Sequence, residues 1–364
     1  MDIVSYTKSS LAEFLRSELF QSLENIPINP KRGLAHVMNP RAAEGDTLLI
    51  AAYHERNLVG YLGILPDLAH STSPPTAVGW MTCLWVKESS RGRKLAWELL
   101  QHAVNAWNGR LCVTRMVPWL ETVFQRLGIF HPTMRKKGLR AYLRMPLAMV
   151  LPPRRKLFYS VRPLLHAFDC CVNTIHDPLV RIWKPPCPQG LTWEVVGTIP
   201  EDAVDFIERM NCGEWTRRGR EEFDWILRYP WVVEAPADHD DTRRYYFSSR
   251  CKRFFLRCLC VRDKGDTLKA FALVQVRNSA MTVPYVYAYE DAFETLAHGL
   301  FSMMQSYTID TLTSCHPKLS VAVDKLRVPF IHKRATTRVF LFPKCLPAPH
   351  EDEIQDGDGD GVFT

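Results

Sequence analysis

Apolar residues recur in a fixed order along the first half of the chain. Residues 47–53 and 58–65 form two apolar runs separated by a polar turn at 54–57, which predicts two strands of a hairpin. A third apolar run at 78–86 predicts another strand, and apolar positions at helical spacing over 95–104 predict a helix directly after it.

The second half of the chain repeats this order. Residues 268–276 and 283–289 predict strands, and 293–304 predicts the helix that follows them. A further helix ending near Phe330 and a strand at 337–343 match their counterparts in the first half. We interpret the chain as two similar α/β domains. The alternative is a chance similarity between two α/β segments, because short patterns recur easily.

A basic turn separates the 78–86 strand from the helix after it. This turn carries Arg91, Arg93 and Lys94. The first backbone N–H groups of a helix have no partner inside it, and the helix dipole adds positive charge there. The sequence therefore predicts a site for a phosphate group, with a solvated basic loop as the alternative.

The turn resembles the coenzyme A loop of the GNAT acetyltransferases, whose pattern is Arg/Gln-x-x-Gly-x-Gly/Ala. Arg91 and Ala96 match its two ends, whereas Lys94 stands where the family usually has glycine. The preceding hairpin strands and the later helix ending at 127–130 also resemble the family. The resemblance covers residues 1–150.

The resemblance implies a fold class, a cofactor and a set of binding residues. The fold is α/β (α+β), with two GNAT-like domains, each a mixed, mostly antiparallel sheet flanked by helices. The cofactor is acetyl-CoA, with its thioester carbonyl on strand N–H groups and its pyrophosphate on the loop. The residues implied are Leu84, Trp85, Val86, Arg91, Gly92, Arg93, Lys94, Leu95 and Ala96.

The acid and base that the family uses have no direct match. Family members often place a glutamate on the strand before the loop, but 78–86 has no carboxylate. Phe124 stands where the family often has a tyrosine that acts as the acid for the leaving thiolate. We take Asp67, His70 and Glu88 as candidate catalytic residues, since His and carboxylates accept protons. The alternative is that Glu88 is a solvated side chain and that His70 is merely exposed in its loop.

The second copy lacks the loop. Glu290 and Asp291 precede its helix, and their carboxylates would repel a pyrophosphate. The predicted organisation is an acyltransferase domain at 1–150, a helical, proline-rich linker at 151–190, a degenerate GNAT-like domain at 191–347 and a flexible acidic tail at 348–364.

The linker contains apolar residues at helical spacing over 157–175, with basic residues at its start. This helix either packs on a domain or lies on an anionic membrane surface. Asp169, Asp177 and Pro178 argue against the membrane interpretation.

Two other segments have more than one interpretation. The aromatic and arginine residues of 205–231 form a core helix face or help bind the acceptor. The Asp-Gly repeat at 356–361 begins like a calcium loop but lacks the later carboxylate that such a loop needs. No metal site is therefore expected.

The composition of the chain limits which classes of binding partner are expected. The formal net charge is +7, which suits an anionic ligand. No nucleic-acid recognition motif is present, so nucleic acid is not an expected partner. The 11 cysteines include no Cys-x-x-Cys pair, which indicates reduced thiols in a cytoplasmic protein.

Two functions follow from these observations. The first is an acyl-CoA-dependent N-acyltransferase that acts on a small amine such as an amino sugar or amino acid. The second is a catalytically inactive GNAT-like scaffold, which the missing acid and base favour.

Overall fold

The chain folds into two units, each made of separate stretches of sequence. The computed structural model describes residues 1–92, 94–152, 155–183, 190–235, 244–247 and 249–363. Unit 1 comprises Met1–Lys136, Ile199–Phe254 and Arg338–Thr364, and unit 2 comprises Lys137–Thr198 and Phe255–Thr337. The chain thus crosses between units four times, at points that differ from the predicted boundaries 1–150 and 191–347.

The strands follow the predicted order in both halves of the sequence. They are β1 (Asp2–Thr7), β2 (Thr47–His54), β3 (Asn57–Ala69), β4 (Thr76–Val86), β5 (Leu111–Thr114), β6 (Met134–Tyr142), β7 (Leu191–Val196), β8 (Val233–Glu234), β9 (Arg250–Cys251), β10 (Phe254–Asp263), β11 (Leu268–Arg277), β12 (Ala280–Ala288), β13 (Thr311–Ser314) and β14 (His332–Leu341).

The helices lie between these strands. They are α1 (Lys8–Phe14), α2 (Glu18–Ser22), α3 (Pro30–Val37), α4 (Leu95–Ala106), α5 (Pro118–Arg126), α6 (Leu147–Val150), α7 (Leu157–Ser160), α8 (Arg162–Ile182), α9 (Glu201–Met210), α10 (Arg220–Arg228), α11 (Phe293–Ser306) and α12 (Pro317–Lys325).

The sheet of unit 1 runs in the order β1-β2-β3-β4-β5. Neighbouring strands are antiparallel except for β4 and β5, which are parallel. Helix α4 packs Leu95, Leu99 and Leu100 against one sheet face, where Leu62 and Met81 contribute to the same core. Helices α1 and α2 belong to a second core on strands β2 and β3. Helix α4 thereby begins next to the end of β4.

Unit 2 repeats this arrangement. Strands β10, β11 and β12 are followed by α11, β13 and α12, and only β12 and β13 are parallel among the pairs β10–β7, β11–β12 and β12–β13. Helix α11 buries most of its residues in the unit 2 core. The internal repeat predicted from the sequence is therefore confirmed by the order of elements.

The last strand of each repeat explains why the boundaries differ from the prediction. Phe340 and Leu341 of β14 pair with β5 in unit 1. Residues 139–142 of β6 pair with β13 in unit 2. A strand can join any sheet whose edge hydrogen bonds it satisfies, and the hydrophobic pattern of the strand does not say which sheet that is.

The C-terminal segment Ile354–Phe363 is buried, contrary to the predicted flexible tail. Asp360 forms an ion pair with Arg32, and the Phe363 ring lies 4.0 Å from that of Trp231. Gly359 has φ +68°, and a Cβ there would lie 2.9 Å from the Trp80 ring. Only glycine fits this position without strain. Asp358 and Asp360 of this segment pair with Arg218 and Arg32, which are distant in sequence.

The aromatic segment 205–231 belongs to unit 1 rather than to the second domain. Its buried aromatic side chains are Phe206, Trp215, Phe223, Trp225 and Trp231, and Arg218 and Ile226 are buried as well. The core interpretation of these aromatic residues therefore matches the structure.

Helices α7 and α8 occupy the predicted linker at 151–190, and its residues 153–154 and 184–189 lie outside the described residues. In the described part of the chain, no helix is both long enough and apolar enough to cross a membrane.

Candidate active site

Strands β4 and β5 form a wedge in unit 1. They pair through three residues of β4, Gly79, Trp80 and Met81. Strand β4 continues beyond this pairing to Val86, whereas β5 ends at Thr114. The last residues of β4 therefore extend beyond their pairing with β5, and the gap beside this edge of β4 is the wedge.

A β-bulge lies at the start of this open edge. Cys83 has φ +53°, and the register with β3 shifts between Tyr61 and Gly63. The Lys87 N–H donates to the Val59 carbonyl at 2.8 Å. Amides of a strand point alternately to its two edges, so Trp85 N–H also points to β3, whereas Leu84 and Val86 point theirs into the wedge. Two of the three predicted backbone donors are therefore directed into it.

The predicted phosphate loop follows directly. A 3-10 turn at Glu88–Ser90 leads to Arg91, and α4 begins at Leu95. The Glu98 N–H donates to Lys94 O, which is the first bond of the helix. The N–H groups of Leu95, Ala96 and Trp97 come before this bond in the chain, so they have no acceptor inside the helix and point out from its N-terminal end. Arg93, also predicted here, lies outside the described residues.

The backbone of the loop is left-handed at Gly92 and Lys94. Gly92 has φ +81°, and a Cβ there would meet nothing within 4 Å. Lys94 has φ +63° and is exposed. Lysine therefore takes the left-handed conformation for which the family uses glycine, at a cost of about 1 kcal/mol. The departure at Lys94 leaves the loop open, so the residues present fit a pyrophosphate group.

Arg91 is available for an anion at this loop. Its side chain is 57% exposed, and its guanidinium lies 3.9 Å from the carboxylate of Glu88. An ion pair this exposed contributes little, so a bound phosphate can replace it. Glu88, a candidate base, has a 91% exposed side chain, which matches its solvated interpretation.

We expect Lys94→Gly to raise the free energy of unfolding by up to about 1 kcal/mol, because it relieves the left-handed lysine. Urea denaturation measures this change. Glu98→Gly, inside the same helix, is the matched control and should lower stability by about 1 kcal/mol. A loss of stability in Lys94→Gly equal to that of the control would contradict the left-handed conformation.

Asp67 is a buried structural ion rather than a base. Its carboxylate accepts bonds from Arg218 at 2.8 and 2.6 Å and from Arg41 at 2.5 Å. The Trp80 indole also donates to it, at 3.0 Å. Burial alone would raise the pKa of Asp67, but the charges of Arg218 and Arg41 hold it well below its usual value. A carboxylate held so strongly ionised is a poor proton acceptor.

Asp67 and His70 also lie far from the wedge. Asp67 pairs with Val78 at the start of β4. Leu84 is six residues further along, which is about 20 Å at the rise of a strand. His70 is half-buried at the end of β3, and its pKa is lowered by burial and by the charges of Arg41 and Arg217. The structure does not bring these two candidates to the backbone donors.

A group of residues at the bulge was not found from the sequence. The Arg32 guanidinium lies 3.1 Å from the Asp360 carboxylate, and both side chains are largely buried. Their charges act on the Cys83 thiol, whose pKa is raised by burial, and Tyr245 lies beside it. These four residues come from widely separated parts of the chain, so spacing gives no signal for them.

Two further residues, Arg115 and Phe124, follow β5 in the sequence. Arg115 follows β5 directly with φ +52°, and its guanidinium donates to Gly361 O at 2.7 Å. Phe124 is buried and packs edge-on against Phe130. As expected from its side chain, Phe124 offers no proton.

The stability of unit 1 is expected to depend on pH through Asp358. Burial raises the pKa of its carboxyl from 3.8 to about 6, although Arg218 opposes this. The folded state therefore binds the proton more tightly, and the Asp358 contribution to stability falls as pH rises from about 4 to about 6. We expect Asp358→Asn to be more stable than the parent at pH 7, by about 1–3 kcal/mol.

The melting temperature across pH 4 to 7 checks this prediction. The advantage of the asparagine variant should vanish near pH 4, where the parent carboxyl is protonated as well. A variant less stable than the parent by the same margin at both ends of the range would contradict it.

Among the described residues of unit 2, the segment before α11 has a different structure from the loop. Residues Glu290–Ala292 form a 3-10 turn, and Ala292 has φ −94°. Glu290 is paired with Lys318. A groove of about 760 Å³ lies between α11 and α12, with Glu290 and Glu294 among its lining residues. Carboxylates at the helix start do not suit a pyrophosphate.

Comparison with known families and structures agrees with the geometry. Residues 15–127 match the acetyltransferase (GNAT) family. No curated protein matches the sequence. A structure of a conserved protein from Enterococcus faecalis V583, described as a probable N-acyltransferase, is similar over 94% of this chain and 73% of that one, with 8% identity and a TM-score of 0.51.

Two other structures align over most of the chain. A tandem GNAT protein from the clavulanic acid biosynthesis pathway has 14% identity and a TM-score of 0.49, and covers 95% of this chain and 99% of that one. Saccharomyces cerevisiae N-myristoyltransferase with bound myristoyl-CoA has 11% identity and a TM-score of 0.48, and covers 98% of this chain and 88% of that one.

The family match contains β2, β3, β4, the loop and α4, which are the elements that build the wedge and the anion site. Unit 2 repeats the order of elements without the loop. Residues 15–127 therefore match the model of the GNAT acetyltransferase family, and the order of elements in this segment recurs in unit 2.

Proposed function

We propose that this protein is an acyl-CoA-dependent N-acyltransferase that transfers an acetyl group to a small amine such as an amino sugar or amino acid. One observation carries the proposal: the wedge and the left-handed loop stand at the same end of β4. Leu84 and Val86 direct their N–H groups into the wedge, and the N–H groups that begin α4 follow within about ten residues. We place this reaction in the cytoplasm, because the cysteine usage is typical of a protein with reduced thiols.

The loop and the helix start would hold the coenzyme. The N–H groups of Leu95, Ala96 and Trp97 and the guanidinium of Arg91 suit a pyrophosphate, which needs hydrogen-bond donors and positive charge together. Coenzyme A supplies an activated thioester when it is bound.

The wedge would hold the acyl group. N–H groups of Leu84 and Val86 can donate to the thioester carbonyl oxygen and stabilise the negative charge that develops on it. They belong to a sheet that β3 keeps rigid, so they are oriented before the reaction. Fixed donors of this kind require no particular side chain.

We assign Asp360 the role of proton acceptor for the amine. Its carboxylate is close enough to the bulge to act on the Cys83 thiol and pairs with Arg32 at 3.1 Å; in this proposal it takes the place of the acidic residue missing from β4. Asp360→Asn should lower kcat by about 100-fold with little change in the KM for acetyl-CoA. An unchanged kcat would remove Asp360 from the mechanism, and its melting temperature shows whether the variant is folded.

A second candidate function is a non-catalytic binding protein with the same fold. The buried Phe124 and the buried segment Ile354–Phe363 beside Arg115 favour it. Release of free thiol from acetyl-CoA, measured with and without each member of a panel of amino sugars and amino acids, separates the two. Amine-dependent release supports the transferase. Coenzyme binding without release from any amine supports the binding protein.

A further inference from the structure

Helix α8 directs both of its carboxylates toward the protein. Asp169 is buried and accepts bonds from the N–H groups of Leu147 and Ala148 at 3.0 and 2.8 Å, which caps α6. The Asp177 carboxylate is paired with Arg144 at 2.7 Å. Both carboxylates that weighed against a membrane-bound helix are therefore used inside unit 2.

Two more polar residues of α8 face the same way. Asn173 donates to Met145 O at 3.1 Å and accepts from Met145 N–H at 2.8 Å. The His176 ring bonds Pro329 O at 2.7 Å. The side of α8 that contacts the protein is thus held largely by hydrogen bonds, whereas the protein-facing side of a surface helix is ordinarily apolar.

The outward side of α8 is apolar instead. Residues spaced three, four and seven apart form one stripe, as expected for a single helix face. Its large members and their exposed fractions are Leu164 71%, Phe168 52%, Ile175 77%, Leu179 60% and Ile182 78%. From Leu164 to Ile182 the stripe is about 27 Å long. An exposed apolar patch of this extent marks an interaction site.

Positive charge and aromatic rings border the stripe. Arg162 and Arg181 are exposed at the two ends of α8, and Arg155 and Lys156 are exposed just before it. Tyr159 is 55% exposed near the start, and Trp183 is 37% exposed just beyond the end. Basic residues attract anionic lipid headgroups, and Tyr and Trp favour the membrane–water interface.

We propose that the outward face of α8 binds the surface of an anionic membrane, lying in the plane of the headgroups. No described helix can span a bilayer, and an interfacial helix needs only its apolar face buried. Pro178 does not interrupt α8, which is continuous to Ile182.

A second copy of the chain suits this face less well. Antiparallel packing of two α8 helices would place Arg162 of one copy beside Arg181 of the other. The only carboxylates of α8, Asp169 and Asp177, face inward and cannot balance these charges. An anionic lipid surface supplies the balancing charge, whereas a second copy does not.

Co-sedimentation of the full chain with vesicles tests the proposal. The vesicles are phosphatidylcholine alone, or equal parts of phosphatidylcholine and phosphatidylglycerol. We expect binding to the anionic vesicles, and the double variant Phe168→Gln/Ile175→Gln should weaken it by about tenfold or more. Arg162→Gln/Arg181→Gln should weaken it by about fivefold for each arginine, and only on anionic vesicles.

Val321→Gln is the matched control, since Val321 is 51% exposed on α12; it should bind as the parent does. An unchanged melting temperature shows that each variant is folded. The proposal is overturned if the parent sediments with neither vesicle, or if the Phe168→Gln/Ile175→Gln variant binds like the parent. It is also overturned if sedimentation velocity without lipid shows a dimer that this variant dissociates, because the face is then an interface between copies.

Discussion

Replacing Asp67 with asparagine is expected to lower the free energy of unfolding by about 3–5 kcal/mol, because it leaves Arg218 and Arg41 buried without their shared carboxylate. Both guanidinium groups contact Asp67 directly, and the side chains of all three residues are buried. Guanidinium or urea denaturation at pH 7 measures the change. The same contribution should be lost on acidification of the parent, because a carboxyl with a lowered pKa stabilises fully above its unfolded pKa and loses this contribution as pH falls from there through its lower folded pKa.

The exposed pair between Arg135 and Glu121 is the matched control. Glu121→Gln should cost no more than about 1 kcal/mol. If Asp67→Asn instead retained full stability and lost only catalytic turnover, Asp67 would be a catalytic base and its assignment as a structural ion would be wrong.

The second large effect concerns coenzyme binding. Ala96→Glu places a carboxylate in the first turn of α4, where the helix dipole favours it, so the fold should be retained. The same carboxylate would repel a pyrophosphate held by the helix start. We expect this variant, and Arg91→Glu, to lose the rise in melting temperature that coenzyme A gives the parent, which corresponds to at least a 100-fold weaker affinity.

Arg16→Glu makes the same change of charge as Arg91→Glu at an exposed position of the same unit. It should keep the full response to coenzyme A. A response that survives in both Ala96→Glu and Arg91→Glu would place the binding site away from the loop.

Local patterns in the sequence were sufficient to predict the elements around the loop. The hairpin β2–β3, the strand β4 and the helix α4 all follow from apolar periodicity, and Arg91 and Ala96 mark the loop between them. The internal repeat is readable for the same reason. Each of these features depends on residues close to one another in the chain.

Features that depend on distant partners were not predictable. The Asp-Gly repeat is polar enough to suggest a flexible tail, but Arg32 and Arg218 bury its carboxylates. The inward direction of Asp169 likewise depends on the N–H groups of α6. The sequence alone suggested Asp67 as a base, because its partners Arg41 and Arg218 lie far from it in the sequence.

The most direct test of the account is isothermal titration calorimetry of the full chain with acetyl-CoA. The chain contains two copies of one fold, but the described loop with its left-handed backbone occurs at Gly92 and Lys94, whereas Glu290 and Asp291 precede the equivalent helix of unit 2. We expect one acetyl-CoA to bind per chain and this binding to be lost in Ala96→Glu. No binding, or two molecules bound per chain, would contradict it.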